Sequence, residues 1–95
     1  MINLAAPANP DTIAIQLSNA PIAQIADVIR RNWEKPSPYA LPYLKAMFKL
    51  SSMSDTYMAD DAESIILYFL SNAASYRGPV ARLVKAELNR RVKGA

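Results

Sequence analysis

Six consecutive apolar residues, Ile65 to Leu70 in the stretch "SIILYFLSNAASYRG", break off shortly before Arg77-Gly78-Pro79. No other feature limits more tightly what this chain can fold into. A run of that length fits either a buried strand or the apolar middle of a helix, and periodicity alone does not separate the two. The flanks do. Asp60 and Glu63, three residues apart, resemble a capping box with Asp in place of Ser or Thr, and acidic residues in a first turn complement the helix dipole. The segment from Asp61 to Ser75 is too long for an ordinary strand, and Ala62, Ala73 and Ala74 favour helix. The reading is a central helix with neighbours on most faces. Gly78 closes it, and Pro79 opens the next helix at its first position.

The rest of the chain carries the same period. Ile22, Ile25, Ile29 and Trp33 recur at spacings of three and four, with Ala26 alongside, which predicts a helix from Pro21 that ends at "KPSP". Leu41, Leu44, Met47, Phe48 and Leu50 predict a second helix from about Ala40 to Ser51, with Pro42 tolerated in its first turn. "SSMSDTYM" reads as a loop. Val80, Leu83, Val84, Leu88 and Val92 give the last helix a broad apolar face. Residues 1–20 are rich in Ala, Asn and Pro, and the alternation in "TIAIQL" suits a strand or an extended arm. The expected fold is all-α, a compact bundle of about four helices in one domain over 21–95, with an irregular or extended N-terminal arm over 1–20.

Composition narrows function by what it omits. The chain has no histidine and no cysteine, so imidazole or thiolate zinc sites, Ser-His-Asp triads and Cys-His pairs are excluded. Proton transfer near neutral pH falls to a perturbed Asp, Glu, Lys or Tyr. The expectation is a protein that is not an enzyme and needs no cofactor. "MINLAAPANPDT" lacks a basic region followed by an apolar core, so no secretory leader is expected. The longest apolar run is far short of a membrane span, and the expected location is the cytoplasm.

Charge is unevenly spread. Residues 77 to 95 carry six Lys or Arg against one Glu, while residues 55 to 63 carry four acids and no base. At 100° per residue, Arg82, Lys85, Asn89 and Lys93 fall within about 80° of one another on the last helix. With Arg77 and Arg90 they form a candidate surface for phosphates or an acidic partner; a solvated helix face is the plain alternative. Arg77 either binds a carboxylate or phosphate bidentately or bridges back to Asp55 or Asp61. Asn72 either joins two helices as a satisfied amide or lines a pocket with Tyr68, Tyr76 and Arg77. Tyr39 and Tyr43 fall at the first interhelical corner, where exposure together with Trp33 makes an interaction patch. "DTYMADDAE" lacks the alternating ligands and central Gly of a calcium loop, and capping explains its acids, so no metal is expected.

Beyond pattern, the wording of the chain matters. "IADVIRRNW", "PYLKAM", Asp55-x-Tyr57, "SIILYFLSNAASYRG" and "ARLVKAEL" together resemble a small uncharacterised family carried by bacteriophages and other bacterial mobile elements. The likeness spans about Ile25 to Leu88. Its most specific part is Tyr68 to Ala73 followed by Tyr76-Arg77-Gly78. The chain departs from that family at Asn32, Ala62 and Tyr76, where the family carries an acid, Ser and Trp. The resemblance brings no catalytic residue. It implies an accessory protein in the bacterial cytoplasm that acts by stoichiometric binding to a host or phage protein, including the blocking of defence systems such as CRISPR complexes. Nucleic-acid or nucleotide binding through the basic helix, and a homo-oligomeric structural role joining the acidic and basic ends, are the alternatives.

Overall fold

The first two helices meet at Ala20-Pro21, and they do not pack as a hairpin. In the computed structural model, which describes Ile2 and residues 9–94, α1 (Pro10–Asn19) lies chiefly against the last helix, α5 (Pro79–Gly94). α2 (Ile22–Asn32) bridges α5 and α3 (Leu41–Met47), and α3 packs along α4 (Ala62–Ser71). The described residues are mostly helical, with five helices rather than four; the fifth is α1, where an extended arm was expected. Asn9 caps α1 by accepting from the Asp11 amide at 2.9 Å, Pro10 opens it, and Asp11 sits in its first turn. The alternation in "TIAIQL" is a helical pattern after all. Ile13 and Leu17, four apart, are buried, and Ile15 between them is 63% exposed. The remainder of the expected arm, residues 3–8, lies outside the described residues, although Ile2 is buried in the core.

α2 follows its predicted course, and Ile22, Ile25, Ala26, Val28 and Ile29 are all buried. Its first amides find partners outside the helix: Ile22 N–H donates to the Ser51 carbonyl and Ala23 N–H to that of Leu50, both at 2.9 Å. α3 stops at Met47 instead of running to Ser51. Phe48, Lys49 and Leu50 tighten into turns that each reach back three residues, leaving the Leu50 and Ser51 carbonyls free to satisfy the start of α2.

The expected loop over 51–58 contains a small hairpin. β1 (Thr56–Tyr57) pairs antiparallel with β2 (Asp60–Asp61), Thr56 opposite Asp61 and Tyr57 opposite Asp60, around a Met58-Ala59 turn. Asp55 anchors it, accepting from the Ser51 amide at 2.7 Å and the Ser52 amide at 3.1 Å. Those amides hold the Asp55 carboxyl below its ordinary range.

The six-residue apolar run is helical, as its flanks predict, with three corrections. The cap is Asp61, accepting from the Ser64 amide at 2.8 Å, rather than an Asp60–Glu63 box. Asp60 is engaged in the hairpin instead. Second, Leu67 and Tyr68 are exposed, so α4 keeps one wet side. Third, α4 ends at Ser71 and not Ser75. Past Ser71 the Asn72 and Ala73 amides reach back only three residues, to the Phe69 and Leu70 carbonyls, and Ser71 Oγ and Asn72 Nδ2 donate to the Leu67 and Tyr68 carbonyls. Gly78 therefore does not close α4. With φ of 114° it directs the chain into α5, and its carbonyl accepts from the Arg82 amide at 3.0 Å.

Candidate functional site

A corner forms where the end of α2 meets the turn between α4 and α5. Trp33, the residue after α2, is buried against Phe69 of α4, edge to face at 6.2 Å between ring centroids. On its other side it stacks on Tyr76 at 5.1 Å and 23°. Such pairings add about 0.5–1.5 kcal/mol each beyond area burial, and they fix the Ala73–Arg77 turn to the body. Lys85 of α5 lies over the Tyr76 ring, its Nζ 5.9 Å from the centroid.

Two adjoining depressions open at this corner and share Tyr76 and Arg77. The larger, about 460 Å³, is lined by Asn32, Trp33, Glu34, Lys35 and Ser75 besides the shared pair. The smaller, about 270 Å³, is completed by Gly78, Ala81, Arg82 and Lys85.

Unpaired positive charge gathers at this corner. Arg30 and Arg31 pair with Asp27, and Arg90 and Arg91 pair with Glu87. Among the described residues Arg77, Arg82 and Lys85 have no acidic partner. Arg77 Nε reaches only the Ala74 carbonyl, at 3.4 Å, and bridges neither Asp55 nor Asp61. Burial first, and the Arg77 charge second, push the Lys85 amine below its ordinary value. An anion placed among these groups removes their mutual repulsion and gains charge-assisted hydrogen bonds.

The residues singled out from the sequence separate into two groups. Arg77, Arg82 and Lys85 share the smaller depression with Tyr76. Arg90 does not join them, since its Nε bonds Glu87 Oε1 at 3.0 Å. Lys93 lies exposed two turns beyond Lys85, outside both depressions. The expected pocket of Tyr68, Asn72 and Tyr76 does not assemble, because α4 ends early. Tyr68 faces outward and stacks on Tyr43 of α3 at 5.3 Å, Asn72 caps α4, and Tyr76 turns into the core. Tyr39 is exposed, but Trp33 is buried, so the proposed three-aromatic patch does not form.

Tyr76 has a further peculiarity. Its hydroxyl is buried with no hydrogen-bond partner among the described residues, and burial drives its acidity far below that of an ordinary tyrosine. An unpartnered buried hydroxyl costs about 1–3 kcal/mol. Tyr76→Phe is therefore expected to stabilise the fold by about 1 kcal/mol in urea unfolding.

Sequence reasoning missed Asn32, Trp33, Glu34 and Lys35 as neighbours of Arg77, because only packing brings "NWEK" to the α4–α5 turn. It also missed the ion-paired triads, whose signal is present twice. "DVIRR" and "ELNRR" each place an acid three and four residues before two arginines, the spacing that meets on one helix face.

No family model, curated protein or solved structure matches this chain. Among the described residues no three His, Cys, Asp or Glu side chains are grouped to hold a metal ion, and no helix is long and apolar enough to cross a membrane.

Proposed function

We propose that this chain is a non-catalytic binding protein that seats an acidic patch of a protein partner on the Arg77–Arg82–Lys85 corner. One observation carries the reading: three basic side chains, left without acids, surround a depression whose uncharged lining is Tyr76, Gly78 and Ala81. The stacked Trp33–Tyr76 pair holds that lining in place, so little ordering is needed on binding. The resemblance to proteins of bacteriophages supplies the setting, a host or phage protein bound at fixed stoichiometry and, as one form of this, a component of a defence complex.

Nucleic acid is the second reading, favoured by the stripe of Arg82, Lys85 and Lys93 along α5. From Arg82 to Lys93 the helix rises only about 17 Å, and Arg90 is drawn aside by Glu87. That track meets few phosphates.

The test is capture from bacterial lysate by tagged wild type and by the triple variant Arg77→Glu, Arg82→Glu, Lys85→Glu, with and without nuclease. The expected result is a stoichiometric protein that survives nuclease and is lost with the triple variant, whose helical circular dichroism persists. Equal capture by the variant removes this corner from function. Nuclease-sensitive capture, with affinity falling steeply with salt, establishes the nucleic-acid reading.

A further inference from the structure

We infer that the basic corner also receives the hairpin tip of a second copy of this chain, joining copies head to tail. This rests on the corner being an acid-binding surface, as proposed above.

Met58, in the hairpin turn, is 86% exposed, the most exposed of the large apolar side chains described. Its φ is 57°, and it alone among the described non-glycine residues has a positive φ. The left-handed region costs an ordinary L-residue about 1–2 kcal/mol, and Gly, Asn or Asp fill it more cheaply. Here the turn instead holds a flexible thioether clear of the surface. Asp60, in the second hairpin strand, and Glu63, in the first turn of α4, are exposed, and neither has a basic partner among the described residues. Asp55 and Asp61 bond backbone amides and remain charged, held below the ordinary carboxylate range by those bonds. The tip is an apolar point in an acidic collar.

The corner has the complementary chemistry. Its 270 Å³ depression has an uncharged lining and a rim of Arg77, Arg82 and Lys85. Methionine suits an irregular recess, because its side chain is flexible and polarizable. Tip and corner lie at opposite ends of α4, whose ten residues span about 15 Å. Within one copy Met58 stays exposed, so the corner is open to the tip of another. The two surfaces differ, so the contact is heterologous and propagates into rings or chains of copies. The acidic collar also argues against a membrane or nucleic acid as the tip's partner, since both present negative charge.

The experiment is sedimentation equilibrium on the full chain from micromolar to millimolar concentration. At low ionic strength the average mass is expected to rise with concentration, and to return toward the single-chain 10.5 kDa in high salt, where surface charges are screened. Two charge-reversed variants locate the contact: Asp60→Lys with Glu63→Lys at the tip, and Arg82→Glu with Lys85→Glu at the corner. Each alone presents like charges at both ends and stays at the single-chain mass. An equimolar mixture restores opposite charges at every junction and recovers association. Met58→Asn suits the positive φ, so it is expected to raise the melting temperature while weakening association about tenfold. A wild type that stays at single-chain mass throughout overturns the inference, as does a mixture that stays dissociated. The tip variant keeps the partner-binding corner intact, so its undiminished capture of a lysate partner separates failure of self-association from failure of the proposed function.

Discussion

Arg91→Ala is expected to lower the unfolding free energy by about 3 kcal/mol, a large share of the roughly 5–15 kcal/mol available to a domain of this kind. The Arg91 side chain is only 11% exposed. Its Nε donates to Glu87 at 2.6 Å, and its Nη2 reaches the Leu17 carbonyl at 2.8 Å and that of Ala20 at 2.6 Å, with Ser18 more distant. One guanidinium therefore neutralises a buried carboxylate and also fills the carbonyls that end α1, where a cation favours the helix dipole. Removing it leaves Glu87 to the exposed Arg90 alone and takes the guanidinium donor from the Leu17 and Ala20 carbonyls. Arg90, whose side chain is mostly exposed, should matter much less when replaced by alanine, because exposed pairs are screened by water. Urea unfolding of the two variants decides the matter, and equal effects would show that burial of Arg91 contributes nothing special.

The same pairing fixes the sign of the acid response. Burial raises the Glu87 carboxyl, but hydrogen bonds from Arg90 and Arg91, with their charge, outweigh it and hold the group below its ordinary value. A folded-state value lower than the unfolded one adds stability that is complete above the ordinary glutamate value of about 4.3 and disappears as pH falls through the folded value. Asp27 is lowered too, first by the Arg30 hydrogen bond, with Arg31 adding to it against burial. Stability should decline below about pH 4, and Glu87→Gln should flatten that decline. A decline as steep in the variant as in the wild type would assign it to other carboxyls.

Trp33→Ala is expected to cost about 4 kcal/mol, from lost burial and the cavity left behind. For a chain of this size that is a fall in melting temperature on the order of 20 °C. The loss also reaches the corner. Without the indole, Tyr76 has no stacking partner, and the turn carrying Arg77 is no longer held against α2. Partner capture should therefore weaken even under conditions where the variant is folded. Phe69→Leu, a milder change beneath the same ring, should lower stability and leave capture intact.

How far the sequence reveals this molecule depends on how local the cause is. Spacings of three and four disclosed α2 and α5 with their buried faces, because a helix face is set by residues within a few positions of each other; α4 was disclosed by its flanks and length, without its wet side at Leu67 and Tyr68. The end of α3 was hidden, since its apolar spacing continues through Phe48 and Leu50 while the chain there tightens into three-residue turns against the start of α2. In α1, "TIAIQL" satisfies both a strand and a helix period, and only the Asn9-Pro10-Asp11 start tips it toward helix. Arg77, Arg82 and Lys85 were visible as a basic cluster by spacing. Which arginines are already spent on Asp27 and Glu87 could have been read from "DVIRR" and "ELNRR". That Trp33 and Lys35 border the same corner could not, because tertiary packing alone joins them.

The pairing of α1 with α5 gives this chain a particular timing. Leu17 leaves the ribosome 74 residues before Arg91, the side chain that donates to its carbonyl. At about 5–20 residues per second this is a wait of roughly 4–15 s. A ten-residue helix does not hold itself together alone in water. Through that interval Ile13 and Leu17 lack the cover of α5, and α1, made before the other described helices, is the last of them to be secured.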